Sequence, residues 1–268
     1  MYKLIGTLNI PGDKSVSHRA LILSSMSIGK SEITNLLEAD DIKATIQILK
    51  LLGIKIHKKL GKWIVYGNGT NGFMQPKKDL NALNSGTTAR TIIGAVSSNP
   101  IKCRFTGDES LSKRSMSRVT VYLEKLGARF KLTKNDYLPL ETFGTVKLIP
   151  EEITIKKPSA QIKTALIFAG LNISGKFSIR EKVLTRDHTE KLLKYLDVKH
   201  KTIKGKDGSN MIELKGPYEI YSKNIKVAGD PSSAAFFIVG ALITPGSRIT
   251  LKNVMLNPTR TEYLKILK

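Results

Sequence analysis

Four times along this chain a turn of small or polar residues gives way to a short apolar run with helical character: Arg19-Ala20-Leu21-Ile22, Arg90-Thr91-Ile92-Ile93, Thr164-Ala165-Leu166-Ile167 and Ala235-Phe236-Phe237-Ile238. The stretch around the first is the easiest to parse. Residues 4–10 have the pattern of a strand, 15–26 of a helix, and 31–37 of a strand after the turn at Gly29. Residues 40–52 form the most amphipathic helix, with Asp40 and Asp41 at its positive end and Ile42, Ile46 and Leu49 on one face. Gly53 closes it. Residues 54–57 and 63–66 then make a hairpin around Gly61, followed by the Gly67-Asn68-Gly69 turn. The order is β-α-β-α-β-β.

The final isoleucines of the four runs recur after 71, 74 and 71 residues, and Leu52, Leu126, Leu196 and Leu267 recur after 74, 70 and 71. Two independent marks with one period imply a repeat of about seventy residues. Helices are expected at 87–97 and 115–126 in the second copy and at 160–171 in the third, where Asp187-His188-Thr189-Glu190 suggests a capping box. In the fourth copy the helix is expected at 232–243, and Asn257-Pro258 starts another. This copy stops at Leu267-Lys268 without closing strands, so the chain is expected to be a fragment or the product of a truncated gene, with an unpaired sheet edge and an uncovered apolar helix face.

The chain has 268 residues, 41% apolar and 25% charged, enough for one large or two smaller globular domains. No run is long and apolar enough to span a membrane, and no apolar signal region opens the chain. Cys103 is the one cysteine and lies in a strand-like run at 101–106, which suits a small core residue in a reducing cytoplasm. The net charge of +22 invites a nucleic-acid reading. Its lysines, however, are scattered along the whole chain and aromatics are only 6%, without the basic and aromatic interleaving of a stacking platform. A lysine-rich background with an anionic small-molecule substrate suits the charge better.

The turns before the first helix of each unit are Lys14-Ser15-Val16-Ser17, Asn84-Ser85-Gly86-Thr87-Thr88, Pro158-Ser159-Ala160-Gln161 and Gly229-Asp230-Pro231-Ser232-Ser233. Each offers free N–H groups and side-chain oxygens at a helix start, where anions are favoured. Arg19, Lys113, Arg114 and Arg186 add cations, and Gly86 permits close backbone approach. Any one of these turns is ordinary capping; together, about a common axis, they could form one site for a multiply anionic ligand. His18, His57, His188 and His200 have no metal-ligand spacing. His57 and His200 are expected at the surface, and His18 and His188 in supporting hydrogen bonds near the site. Phosphate-loop and nucleophile-elbow motifs are absent from the sequence.

Lys14-Ser15-Val16-Ser17-His18-Arg19, Leu83-Asn84-Ser85-Gly86-Thr87-Thr88-Ala89-Arg90, Gly107-Asp108-Glu109-Ser110-Leu111-Ser112-Lys113-Arg114, Ser159-Ala160-Gln161 and Thr185-Arg186-Asp187-His188-Thr189-Glu190 together resemble the 5-enolpyruvylshikimate-3-phosphate synthase family. Gly229-Asp230-Pro231-Ser232-Ser233 and Asn257-Pro258-Thr259-Arg260-Thr261 extend the likeness along the whole chain, closest to the class that includes glyphosate-tolerant members. The resemblance implies an α/β (α+β) fold of β-α-β-α-β-β units about a pseudo-threefold axis. The first domain would be residues 12–226; 1–11 and 227–268 would be part of a second. It implies transfer of enolpyruvyl from phosphoenolpyruvate to the 5-hydroxyl of shikimate 3-phosphate, with no metal or organic cofactor, by a cytoplasmic protein that is a monomer at full length.

By the same resemblance, Lys14, Ser15, Arg19, Ser159, Ala160, Gln161 and Arg186 bind shikimate 3-phosphate, Ala160 through its backbone. Lys14, Asn84, Gly86, Arg114 and Gln161 line the phosphoenolpyruvate site, with Lys14 also serving proton transfer. The family's acid–base pair and its remaining phosphoenolpyruvate-binding arginines would fall beyond Lys268, so this chain is expected to be inactive, or nearly so, alone. A sister transferase acting on UDP-N-acetylglucosamine normally opens with Lys-Asn and carries a cysteine in a Gly-rich loop; Lys14-Ser15 and Cys103 speak against it. A basic nucleic-acid binder on a repeat scaffold is the remaining alternative. Tolerant members carry alanine where Gly86 stands, so an intact relative with this glycine is expected to bind glyphosate well. An inhibition assay checks this, and a requirement for millimolar glyphosate would refute it.

Overall fold

Three helices are buried on every side because the protein surrounds them. They are α1 (Lys14–Ser25), α3 (Gly86–Ser97) and α6 (Ala160–Gly170), and their exposed residues are confined to the first turn. Several serines and threonines are tolerated in these interiors because their hydroxyls return to the carbonyl four residues back: Ser25 to Leu21, Thr91 to Thr87, Ser97 to Ile93. The computed structural model describes residues 2–134 and 136–267; the outer limits of the expected second-domain segments, Met1 and Lys268, lie outside the described residues.

In chain order the other elements are β1 (Ile5–Asn9), β2 (Ile28–Thr34), α2 (Asp40–Leu51), β3 (Lys55–Lys59), β4 (Lys62–Asn68), β5 (Leu80–Asn81), β6 (Lys102–Thr106), α4 (Glu109–Ser112), α5 (Ser117–Lys125), β7 (Arg129–Thr133), β8 (Tyr137–Phe143), β9 (Glu152–Ile155), β10 (Gly175–Glu181), α7 (His188–Tyr195), β11 (His200–Lys204), β12 (Asn210–Gly216), β13 (Ile225–Lys226), α8 (Pro231–Leu242), β14 (Arg248–Lys252), α9 (Pro258–Thr261) and α10 (Tyr263–Ile266). Helices α2, α5 and α7 bury one face and leave the other wet.

Three four-stranded sheets share one plan: β13-β2-β4-β3, β5-β6-β8-β7 and β9-β10-β12-β11. In each, a parallel pair is followed by two antiparallel pairings. One correction follows for the first unit. Strand β1 does not open its sheet; it pairs in parallel with β14, Ile5 opposite Arg248 through Asn9 opposite Lys252. The opening place beside β2 is taken by β13, from more than 190 residues later, with Ile225 opposite Ile33. Local order cannot reveal such an exchange, because both strands carry a plausible alternation.

The exchange makes two chain segments run past each other. Gly12 bridges Gly229, the Asp13 N–H donates to Ala228 O at 2.8 Å, and the Asp230 N–H donates to Pro11 O at 2.9 Å. Contact is so close that a Cβ at Gly12 would fall 1.9 Å from Asn35 O. Asn35, itself in the left-handed region at φ 54°, ends β2 earlier than expected and donates from Nδ2 to Val227 O.

Other corrections are local. The second helix of the second unit begins at Ser117 rather than 115, after the separate turn α4. Asp187 precedes α7 without a capping bond; its carboxylate accepts from Asn257 and Lys191, and Glu190 points to Lys163 instead of closing a box. His57 and His200 are half-buried, not exposed: His57 stacks on Tyr66 and His200 Nδ1 lies 2.9 Å from Val198 O. Cys103 is buried, and burial pushes its thiol up to about 12. Apolar α8 leaves Phe236 81% and Leu242 57% exposed, and β1 and β14 form a sheet of two strands.

Helices α3 and α6 meet at backbone distance: a Cβ at Gly94 would sit 2.3 Å from Ala165 O and 2.5 Å from Ala165 Cα. At Gly240 in α8 the same Cβ meets only Leu4 Cδ1, at an ordinary 3.6 Å. Gly94→Ala is expected to cost about 1–3 kcal/mol by forcing the helices apart, whereas Gly240→Ala is expected to stabilise by up to about 1 kcal/mol through helix propensity. Urea denaturation of the two variants checks the opposite signs.

Candidate anion-binding site

Each central helix starts with a built cap. Asp13 Oδ1 accepts the Val16 N–H at 2.8 Å, Ser85 Oγ accepts the Thr88 N–H at 3.2 Å, and Ser159 Oγ accepts the Ile162 N–H at 3.4 Å. The other N–H groups of these first turns, with their positive dipole ends, stay available to an anion.

Side chains tie the three starts together in pairs. Arg19 links α1 to α6 and α7: Nε donates to Thr189 Oγ1 (2.8 Å), Nη2 to Thr164 Oγ1 (2.6 Å) and Ala160 O (3.3 Å), and Nη1 to Ser15 O (2.8 Å). It is only 2% exposed, and burial lowers its pKa to about 10, still leaving it cationic at neutral pH. His18 links α1 through α2 to α3: Nδ1 meets Thr45 Oγ1 at 2.7 Å, which meets Thr88 Oγ1 at 2.8 Å. Gln161 links α6 to α3, donating from Nε2 to Thr87 Oγ1 at 2.9 Å and accepting at Oε1 from Arg90 Nη1 at 2.9 Å. The ring of connections closes.

The residues singled out from sequence fall on this framework. Lys14 opens α1 and pairs with Asp41, Nζ to Oδ2 2.9 Å, with its side chain 51% exposed. Ser15 follows, with Arg186 Nη1 at 3.5 Å from its Oγ. Ser159 caps α6, and Ala160 and Gln161 lead it. Asn84 lies before α3, its Oδ1 accepting from Arg114 Nη2 at 2.8 Å and its Nδ2 donating to Asp108 at 2.6 Å; Gly86 is the first residue of α3. Lys14, Ser15, Arg19, Ala160 and Arg186 thus form one group. Asn84, Gly86 and Arg114 form a second, with Gln161 between them through Thr87 and Arg90. Arg19 differs from expectation in one respect: its fork is turned inward onto protein oxygens.

Sequence reading missed several residues that shape this wall. Arg90, Thr164 and Thr189 hold its parts, and nothing in their composition marks them. Lys163, wholly buried, pairs with Glu181 at 2.9 Å and Glu190 at 2.7 Å and donates to Thr185 O, fixing the segment that carries Arg186. Two carboxylates share that ammonium, and burial raises the pKa of Glu190. Arg260 clamps two helix caps at once, Nη1 to Asp13 at 3.0 Å and Nη2 to Asp230 at 3.2 Å. Among the described residues no group of three or more His, Cys, Asp or Glu could hold a metal ion, and no helix is long and apolar enough to cross a membrane.

Burial, then the nearby cation Arg19, pushes both His18 and His188 down to about 3. Each is neutral in the folded protein where the unfolded chain begins to protonate, near pH 6.5. Their stabilising share is therefore complete above pH 6.5 and is lost as pH falls from there toward 3, at about 1.4 kcal/mol per pH unit for each histidine. Denaturation midpoints of the parent and of His18→Asn between pH 7 and 5 check this; the variant is expected to show the shallower decline.

A family model described as EPSP synthase (3-phosphoshikimate 1-carboxyvinyltransferase) matches residues 1–268. The chain is 42% identical to the 3-phosphoshikimate 1-carboxyvinyltransferase of Zymomonas mobilis over 266 residues, covering 99% of this chain and 58% of that one. It is 45% identical to that of Caldicellulosiruptor bescii over 267 residues, covering 99% and 61%. A solved EPSP synthase from Acinetobacter baumannii superposes with a TM-score of 0.92 at 37% identity, covering 99% of this chain and 59% of that one. The chain therefore spans about three fifths of the length of these relatives. With its repeated α/β units, its capped helix starts and this likeness along its whole length, the chain belongs to the EPSP synthase family.

Proposed function

We propose that this chain supplies the shikimate 3-phosphate wall, and part of the phosphoenolpyruvate site, of a 3-phosphoshikimate 1-carboxyvinyltransferase. The observation that carries the reading is the closed ring of hydrogen bonds that brings the starts of α1, α3 and α6 side by side, with Lys14, Arg114 and Arg186 around them. A substrate with a phosphate and a carboxylate needs several fixed donors, and helix N-termini with cationic side chains supply them. Residues 12–226 form the first domain about a pseudo-threefold axis, and 1–11 with 227–268 belong to a second. The shared strand order of three sheets and the pairing of β1 with β14 support that division.

Ser15, Ser159, Arg186 and the Ala160 backbone hold shikimate 3-phosphate. Arg19 contributes from behind by fixing the Ser15 and Ala160 carbonyls, and so the first turns of α1 and α6. Asn84, Gly86 and Arg114 receive phosphoenolpyruvate, and Gln161 lies between the two ligands. Lys14, the exposed cation at the start of α1, neutralises both and serves the proton transfers. Holding two anions together in this way removes much of the entropic cost of their encounter. The groups named are those this chain carries toward that reaction.

Calorimetry of the 268-residue chain with shikimate 3-phosphate tests the reading. Binding is expected, with unphosphorylated shikimate much weaker. Arg186→Ala is expected to raise the dissociation constant about 10- to 100-fold, the scale of a charge-assisted hydrogen bond. Equal affinity for shikimate and its phosphate, or an Arg186→Ala variant that binds as before, would contradict it.

A further inference from the structure

Gly86 and Arg90 are one helical turn apart in α3, and helical side chains lean toward the N-terminus, so Arg90 folds back over the helix start. A Cβ at Gly86 would lie 2.7 Å from Arg90 Nη1; the next nearest atoms, Arg90 Cζ and Leu111 Cδ1, are at 3.6 Å. The first obstacle to a side chain at position 86 is therefore the guanidinium itself.

That guanidinium is already committed. Nη1 donates to Gln161 Oε1 at 2.9 Å and Nη2 to the Ser115 carbonyl at 3.0 Å. A guanidinium can only donate, so the atom of the Gln161 amide that faces it must be the oxygen. The NH2 group then points to Thr87 Oγ1. Arg90 is 9% exposed and held at both terminal nitrogens, so the guanidinium cannot move without disturbing those bonds.

We propose that Arg90 is a positioning residue that sets the orientation of the Gln161 amide, and that Gln161 senses the side chain at position 86 through Arg90. Any Cβ at 86 displaces Nη1 while Nη2 remains anchored at Ser115 O. The guanidinium rotates, Gln161 Oε1 loses its donor, and the amide is freed to turn. Specificity for the smaller anionic ligand is thereby set by three residues on two helices, not by the room at Gly86 alone. This rests on the reading above for the ligand, while the relay itself is a property of the protein.

Proton–nitrogen correlation spectra of the full 268-residue chain test it. The side-chain amide pair of Gln161 is identified by its loss in Gln161→Leu. Gly86→Ala and Arg90→Met are each expected to move or broaden that pair, with the double variant Gly86→Ala/Arg90→Met showing no additional change. Remote backbone signals should stay in place. A Gln161 pair unmoved by Gly86→Ala, or effects that sum in the double variant, would overturn the relay. Should Arg90→Met fail to fold, the response to Gly86→Ala decides alone, since the new methyl reaches Arg90 before any atom of Gln161. Titration with phosphoenolpyruvate in the presence of shikimate 3-phosphate separates the two levels. Each single variant is expected to weaken it about tenfold, one hydrogen bond's worth. No binding even to the parent chain would count against the ligand assignment and leave the amide result to judge the relay.

Discussion

A guanidinium buried to 2% exposure must find its hydrogen bonds within the protein, and Arg19 finds them on two other helices and on the first turn of its own. That requirement fixes where α1 lies against α6 and α7. The buried chain from His18 through Thr45 to Thr88 fixes α1 against α3, and Gln161 fixes α6 against α3. The paired donors and acceptors of this buried network hold its members in place, although His18 Nε2 and Arg90 Nε have no partner among the described residues. The helix starts are therefore placed by polar side chains as much as by the apolar packing behind them.

Their nearness has an electrostatic consequence. Three positive helix ends and the cations Lys14, Arg19, Arg90, Arg114 and Arg186 repel one another. The protein offsets this with carboxylates placed just behind: Asp13 and Asp41 around α1, Asp108 beside Asn84, and Glu190 within the field of Arg19. His18 and His188 remain neutral chiefly because burial strips a charged ring of water, and the nearby cation Arg19 adds to that cost. An incoming dianion would relieve the remaining repulsion, which is a physical reason for such a surface to bind one.

Much of this was legible in the sequence. The seventy-residue period and the β-α-β-α-β-β order were visible because amphipathic helices such as α2 and hairpins such as β3–β4 carry local patterns. The turns at Lys14, Asn84 and Ser159 were visible as caps preceding apolar runs. The exchange of β1 and β13 left no mark in the local pattern, since pairing across 190 residues cannot, and only the family resemblance set residues 1–11 apart from the first unit. The failed capping box at Asp187 was not visible either: both of its acidic groups fit the motif, but Asn257 and Lys163 offered partners from far along the chain. Arg90 was noticed in a repeated apolar run and at the end of the motif at 83–90 but given no role, although its spacing of four from Gly86 was the available clue.

The central claim is that separate helix starts form one wall for one ligand. A crystal structure of the 268-residue chain grown with shikimate 3-phosphate tests it most directly. The account predicts a single molecule bridging the first turns of α1 and α6, with Arg186 on one of its anionic groups and the Arg19 and Gln161 links intact. A ligand seated elsewhere, or one held by a single helix start while those links are broken, would contradict it.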